Sequence, residues 1–365
     1  MRYYIIAGEA SGDLHGSNLM KAIYKADPMA EIRFWGGDAM KQVGGTMMRH
    51  IKDLAYMGIV EVISHLGTIK GNMRFCKADI IHFHPDAIIY IDYPGFNLGI
   101  AKWAKKQGFK NYHYISPQLW AWKKWRIRSM RVCLDKLFCI LPFEEDFYAH
   151  NNFPQAVYVG HPLLDAIANF KPTAHVVETT KPIIALLPGS RKQELVKTLP
   201  PMALIAKAHP EYQFVIAGMN ILGESFYRPY LTDNISVVFD KTYPLLSQAF
   251  AALVCSGTAT LETALFNVPQ VVCYRANAIS AAIARILIGN NIKYISLVNL
   301  IADQPIVKEL IQSNFNDGSL ESEFQKITTD AANRQKILDG YTHMRQILGN
   351  GGASAKVADI IVKSL

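Results

Sequence analysis

Two segments of this chain join an apolar, β-branched run to a loop of small residues, and both are built to hold an anion. The first is Tyr3-Tyr4-Ile5-Ile6-Ala7 followed by Gly8-Glu9-Ala10-Ser11-Gly12-Asp13. The second is Ile183-Ile184-Ala185-Leu186-Leu187 followed by Pro188-Gly189-Ser190-Arg191. A strand that enters a helix through such a loop aims backbone N–H groups at a ligand. One unit of this kind in each half points to two nucleotide-type domains with a nucleotide-linked substrate between them.

The first loop is not GxGxxG, because its glycines are four apart, and Glu9 would repel a diphosphate laid directly on it. Its small residues either permit close approach of a substrate to the backbone or form a tight turn with Asp13 as N-cap. In the second loop Arg191 adds a planar fork of donors suited to phosphate. A third loop, Ser256-Gly257-Thr258, follows the apolar run at 252–255 and opens another helix. An anion at that helix end is favoured by roughly 0.3–1 kcal/mol. Glu262 lies one turn beyond Thr258 on the same face, where a carboxylate can accept both hydroxyls of a ribose.

Asp92 closes the strand-like run at 87–91 and precedes Tyr93-Pro94-Gly95. An acid at the mouth of a parallel sheet is placed for general-base work, or it holds an Asx turn. His113, between two tyrosines, is a second site candidate or a packed histidine. His82 and His84 have no third ligand near them, so no metal is expected.

Charge is concentrated. Residues 102–136 hold ten basic residues against one acid, Asp135, a local balance of +9 that exceeds the +8 of the whole chain. Four of the five tryptophans lie between Trp103 and Trp125, with Trp120, Trp122 and Lys123 interleaved. Tryptophan mixed with base suits a membrane interface or an anionic amphiphile, and also single-stranded nucleic acid. Nucleic acid is not expected as a partner, since it leaves the second anion loop unexplained. Upstream, Ile59, Val62, Ile63, Leu66 and Ile69 keep helical spacing with few charges, so this stretch packs on a sheet or enters a lipid surface.

These residues need two sheets to position them. Hydrophobic residues make up 50% of the 365 positions and charged residues 19%, enough apolar content for two cores. Strand-like runs fall at 3–7, 32–35, 87–91, 112–115, 137–140 and 156–159, then at 183–187, 213–217, 235–239, 252–255 and 270–274. Helical patterns alternate with them, as in βαβ units. Residues 165–182, with Pro172 and Pro182, suit a linker. The tail from 321 reads as helix, is interrupted at Gly349-Asn350-Gly351-Gly352, and ends in a helix over 354–362. Five cysteines without a CxxC pair fit a reducing compartment. No secretory leader is expected at the N-terminus, and no run approaches the roughly 20 apolar residues needed to span a bilayer.

Taken in order, Gly8-Glu9-Ala10-Ser11-Gly12-Asp13, Met57-Gly58-Ile59-Val60-Glu61-Val62, Ile91-Asp92-Tyr93-Pro94-Gly95-Phe96-Asn97, His113-Tyr114-Ile115-Ser116-Pro117, Trp120-Ala121-Trp122, Leu187-Pro188-Gly189-Ser190-Arg191, Ser256 through Glu262, and Tyr274-Arg275 resemble the lipid-A-disaccharide synthases. The resemblance implies a GT-B fold, two Rossmann-like parallel-sheet domains facing a central cleft. The expected division is 1–168 with 345–365 for an acceptor- and membrane-facing domain, and 169–344 for a UDP-sugar domain, the last helix returning to the first. It implies an inverting transfer of 2,3-diacylglucosamine from UDP to the 6-hydroxyl of 2,3-diacylglucosamine 1-phosphate, giving a β-1,6 disaccharide and UDP. Asp92 is then the base. Gly12, Arg191, Ser256, Gly257, Thr258, Glu262, Arg275 and Asn299 are donor contacts. Ile59, Val62, Ile63, Leu66, Trp120, Trp122 and Lys123 face acceptor or lipid. No metal or cofactor is implied, and the location is the cytoplasmic face of the inner membrane, with a homodimer left open. Gly95 departs from the family pattern, in which an acid often stands, so Asp92 acts without a second acid there. Another UDP-sugar enzyme of this fold, such as a UDP-N-acetylglucosamine epimerase, is the alternative.

Overall fold

The computed structural model describes residues 1–53, 66–120, 124–172, 175–275 and 293–365. The chain divides into two compact units, Met1–Asp165 with Asn350–Leu365, and Ala166–Gly349. Sequence had suggested divisions after 168 and 344.

In the first unit β1 (Arg2–Ala7), β2 (Glu31–Gly36), β3 (Thr46–His50), β4 (Ala87–Ile91), β5 (Lys110–Tyr114), β6 (Lys136–Cys139) and β7 (Ala156–Tyr158) form one parallel sheet in the order β3-β2-β1-β4-β5-β6-β7. Both faces are covered, so the central strands are continuous apolar runs rather than alternating ones. Tyr4, Ile6, Ile88 and Tyr90 pack on one side with Trp35, while Tyr3, Ile5, Ile89 and Ile91 pack on the other. Trp35 Nε1 donates to the buried Tyr4 hydroxyl (2.8 Å), which donates to Asp79 (2.7 Å).

The last helix, Ala353–Ser364, belongs to this unit and buries Val357, Ala358 and Ile361 in the second face. Burial of Val357 and Ile361 contributes roughly 1.5–3 kcal/mol each. Asp165 accepts from the backbone N–H groups of Gly352 and Ser354 at its start. Lys110 Nζ donates to the Ser364 carbonyl (2.5 Å) at its end.

In the second unit β8 (Ile183–Leu187), β9 (Gln213–Gly218), β10 (Ile235–Phe239), β11 (Ala249–Cys255), β12 (Gln270–Tyr274) and β13 (Lys308–Ile311) form a parallel sheet in the order β10-β9-β8-β11-β12-β13. Edge strands β3 and β13 went unread in the sequence. Thr46–His50 and Lys308–Ile311 are short and partly polar, because an edge strand is only half buried. The tail also breaks once more than expected. A helix ends at Thr328, and Asp330 caps a new one by accepting from the Asn333 N–H.

In each sheet the strand order reverses once, between β1 and β4 and between β8 and β11. Loops at the carboxyl ends of the strands flanking such a reversal splay apart and leave a crevice where ligands sit. The loops that follow those four strands begin at Gly8, Asp92, Pro188 and Ser256. All four were singled out by residue type alone.

Candidate functional site

At the reversal in the first sheet, Gly8 and Glu9 follow β1, and Asp92 and Tyr93 follow β4. Glu9 is the N-cap of the helix Ala10–Ala26. A Cβ on Gly8 would lie 2.4 Å from the Tyr93 ring, so only glycine lets that ring cross the loop. Asp92 and Tyr93 both hold left-handed backbone (φ +45° and +48°), and Ile115, just past the end of β5, stands at φ +69°. A β-branched residue there is an outlier. Strain of this kind costs on the order of 1–3 kcal/mol per residue and persists where the surroundings fix it. Here Asn97 fixes it: its side-chain amide donates to the Asp92 carbonyl (2.7 Å), and its N–H donates to the Tyr93 carbonyl (3.1 Å). Asp92 N–H donates to the Tyr114 carbonyl (3.0 Å).

The Asp92 carboxyl is half-buried, and burial pushes its pKa up to about 6, with the charge of Glu9 adding to the rise and the Tyr93 backbone opposing it. A base in this range takes a proton near neutral pH while remaining mostly ionised. His113 lies in the core of the same sheet, fully buried, with burial lowering its pKa to about 4. Among the described residues neither of its ring nitrogens finds a partner. It is a neutral core group rather than part of the Asp92 edge.

Two residues of the first loop have structural roles. Gly12 is buried in the first turn of its helix, where a Cβ would lie 3.3 Å from Ala7 Cβ, so the glycine lets helix and strand pack closely. Asp13 does not cap its own helix. Its carboxylate accepts from the N–H groups of Gly37 (2.7 Å), Ala39 (3.0 Å) and Met40 (3.0 Å), capping the following helix, Asp38–Val43.

At the reversal in the second sheet, Arg191 is the N-cap of the helix Lys192–Ala208, and its guanidinium is exposed. The amide of Ser190 already has a partner, since Glu194 Oε2 accepts from it (3.1 Å). That carboxylate lies 2.7 Å from where a Cβ on Gly189 would begin, a proximity only glycine admits. An anion on the Ser190 amide would have to displace Glu194, a competitor the sequence gave no sign of. The β11 loop is open instead. Gly257 stands at φ +157° with nothing within 4 Å of its Cβ position, and Gly257 and Thr258 are exposed at the start of the helix Thr258–Leu265. Ser256 donates its hydroxyl to the Ile295 carbonyl (2.9 Å). Glu262 is half-buried, burial raises its pKa, and the Tyr243 hydroxyl donates to its Oε1 (3.1 Å).

The remaining expected donor contacts are less available. Arg275 donates to the Phe315 carbonyl and lies over that ring, 5.0 Å from its centre. Asn299 is buried and fully engaged: its amide donates to the Val307 carbonyl (2.9 Å) and Glu309 Oε1 (2.9 Å), and its oxygen accepts from Val307 N–H (3.0 Å). Both amide protons of Asn299 are held by Val307 and Glu309, so a donor contact there would have to compete with them. Asn299→Ala should lower the thermal stability of the second unit by about 3 kcal/mol, the cost of stranding these partners. An unchanged melting temperature would return Asn299 to a ligand-binding role.

Trp120 also turns inward. It is half-buried, its indole N–H donates to Glu144 (3.2 Å), and its ring meets Phe143 edge-on at 5.1 Å, which anchors it to this unit. Ile59, Val62, Ile63, Trp122 and Lys123 lie outside the described residues, as does the side chain of Leu66. Trp125, the last tryptophan of the basic segment, is 72% exposed. Among the described residues no group of three or more His, Cys, Asp or Glu is arranged to hold a metal ion, and no helix is long and apolar enough to cross a membrane.

The fold is that of the GT-B glycosyltransferases and the related sugar-nucleotide epimerases. The UDP-GlcNAc 2-epimerase from Neisseria meningitidis, solved with UDP-GlcNAc, superposes with a TM-score of 0.71 at 13% identity, covering 100% of both chains. The glycotransferase of kitacinnamycin superposes at 0.66 with 14% identity, covering 100% of this chain and 99% of the other. At sequence level, residues 3–358 match the family model for lipid-A-disaccharide synthetase. The lipid-A-disaccharide synthase of Syntrophus aciditrophicus is 38% identical over 97% of this chain and 95% of its own length. That of Coxiella burnetii is 34% identical over 98% and 96%. The chain belongs to the lipid-A-disaccharide synthetase family.

Proposed function

We propose that this protein is an inverting glycosyltransferase that moves 2,3-diacylglucosamine from UDP to the 6-hydroxyl of 2,3-diacylglucosamine 1-phosphate, forming the β-1,6 lipid A disaccharide. Family membership over nearly the whole chain carries the reading. The first unit supplies the acceptor chemistry, and the second holds the UDP-sugar.

In one displacement, Asp92 takes the proton of the acceptor 6-hydroxyl as its oxygen bonds to the anomeric carbon. The bond from that carbon to the UDP oxygen breaks, the configuration inverts, and UDP departs with the electron pair. Asp92 then returns its proton to water. Negative charge gathers on the diphosphate, where the amides around Gly257 and Thr258 are donors at a helix start and the exposed guanidinium of Arg191 is free to reach it. Donors aimed at developing charge stabilise a transition state without reorganising. Glu262 accepts the ribose hydroxyls. The test is product analysis after incubation with both acylated sugars: the disaccharide and UDP are expected, and an epimerised UDP-sugar with no disaccharide would overturn the reading.

Both substrates are acylated and anionic, and we assign the first unit's basic face to an anionic membrane surface. Trp125 and Val132 are exposed there beside Lys124, Arg128 and Arg131. Each basic residue near such a surface contributes about 1 kcal/mol. Trp125→Ala should weaken co-sedimentation with phosphatidylglycerol vesicles several-fold; equal sedimentation of the two proteins would remove this face from the role.

A further inference from the structure

We infer that Tyr243 is a positioning residue for the donor, acting through Glu262 to fix the carboxylate that receives the ribose. The inference rests on the ribose reading of Glu262 given above. Tyr243 comes from a different βα segment, the short helix Thr242–Leu246 that follows β10. Its hydroxyl donates to Glu262 Oε1 (3.1 Å). The tyrosine ring is itself locked by two aromatic neighbours. Phe170 meets it edge-on at 6.0 Å and 90°, and Phe266 lies 5.4 Å away. Phe170 and Phe266 also meet each other at 5.5 Å and 81°. Three rings therefore determine where the hydroxyl points, and the hydroxyl determines which carboxylate oxygen is engaged.

A carboxylate offers about four acceptor positions on two oxygens. Tyr243 takes one on Oε1, and among the described residues Oε2 carries no hydrogen bond. That leaves a free edge suited to a vicinal diol. Other groups packed around the helix Thr258–Leu265 do not compete for it. Arg345 reaches the helix but donates to the carbonyls of Ala264 and Leu265 and to the Asn267 side chain. The helix Leu297–Ala302 brings no charged side chain. Tyr243 also offsets part of the burial that disfavours the ionised carboxylate, so the same contact orients the acceptor and keeps it charged.

Tyr243→Phe keeps the ring packing and removes only the donor. UDP binding should weaken about tenfold at pH 7, in line with a hydrogen bond to a charged group. Turnover at saturating donor should fall far less than UDP affinity, and the melting temperature should drop by no more than the loss of one hydrogen bond explains. The pH below which UDP affinity falls should move upward, because Glu262 protonates more readily without its donor. With 2′,3′-dideoxy-UDP, which lacks the diol, wild type and variant should bind alike. Glu262→Gln separates the two claims. If it leaves UDP affinity unchanged, the ribose reading fails and this inference with it. If Glu262→Gln weakens UDP but Tyr243→Phe does not, or if Tyr243→Phe costs the same with the dideoxy ligand, the positioning role alone is overturned.

Discussion

Asp92→Asn should bind UDP as the native protein does and lose turnover by about 10²- to 10⁴-fold, the usual contribution of a positioned general base. The substitution keeps the shape of the side chain and the strained turn that Asn97 holds. It removes only the capacity to take a proton. In the native enzyme kcat/KM should fall as pH drops through about 6, where the half-buried carboxylate beside Glu9 gains a proton, and that limb should vanish in the variant. A second, opposite effect should accompany the loss. The folded pKa of Asp92 lies above its unfolded value, so holding the carboxylate ionised costs the fold energy. The cost is absent below about pH 4 and complete above about pH 6, and for a shift of this size it is on the order of 2 kcal/mol. Asp92→Asn should therefore be more stable than the native protein at pH 8 while being nearly inactive, the trade expected when an active site keeps an unfavourable group. Near-native turnover, or lower stability at pH 8, would remove Asp92 from the base role.

Asp13→Ala should have the converse signature, a large loss of stability with little loss of activity per folded molecule. The carboxylate accepts three backbone N–H groups at the start of the helix Asp38–Val43. A Cβ on Gly37 would lie 2.5 Å from its oxygen, so nothing else fits between them. Alanine would strand three donors, two of them buried, and leave a gap water fills poorly. The net cost is about 3 kcal/mol, since hydrogen bonds to a charged acceptor contribute more than neutral ones. For a unit of this size that lowers the melting temperature of the first transition by about 6–12 °C. Calorimetry would show it. An unchanged first transition with lost turnover would instead give Asp13 a chemical role.

These two aspartates mark where sequence stops being informative. Both lie in segments that follow an apolar strand, both belong to short motifs rich in small residues, and nothing in the residue types alone separates a base from a cap. The difference is the neighbour each meets. Asp13 meets the amides of residues 37–40, which fold against it from another βα unit. Asp92 meets Glu9, the Tyr93 backbone and little water. Glu262 and Asn299 divide the same way. Each was expected to contact the donor, yet Glu262 keeps one oxygen open while Asn299 is enclosed by Val307 and Glu309.

What the sequence by itself determined is the arrangement of strands and loops. Apolar, β-branched runs of about five residues commit the chain to buried parallel strands, because only a sheet covered on both faces accepts them. Glycine and serine after those runs allow the loops to turn tightly and bring backbone N–H groups to the strand ends. Edge strands β3 and β13 escaped because they carry basic or acidic residues, whereas the edge strands β7 and β10 keep apolar runs. What only the tertiary structure decided is which polar groups remain free. Glu194 closes the Ser190 amide, Glu144 draws Trp120 inward, and Tyr243 selects one oxygen of Glu262. Each is a contact between side chains or loops that local spacing does not bring together. Hydrogen bonds of this kind depend on where the backbone has already gone, and that is set by burial of the core rather than by the residues that do the chemistry.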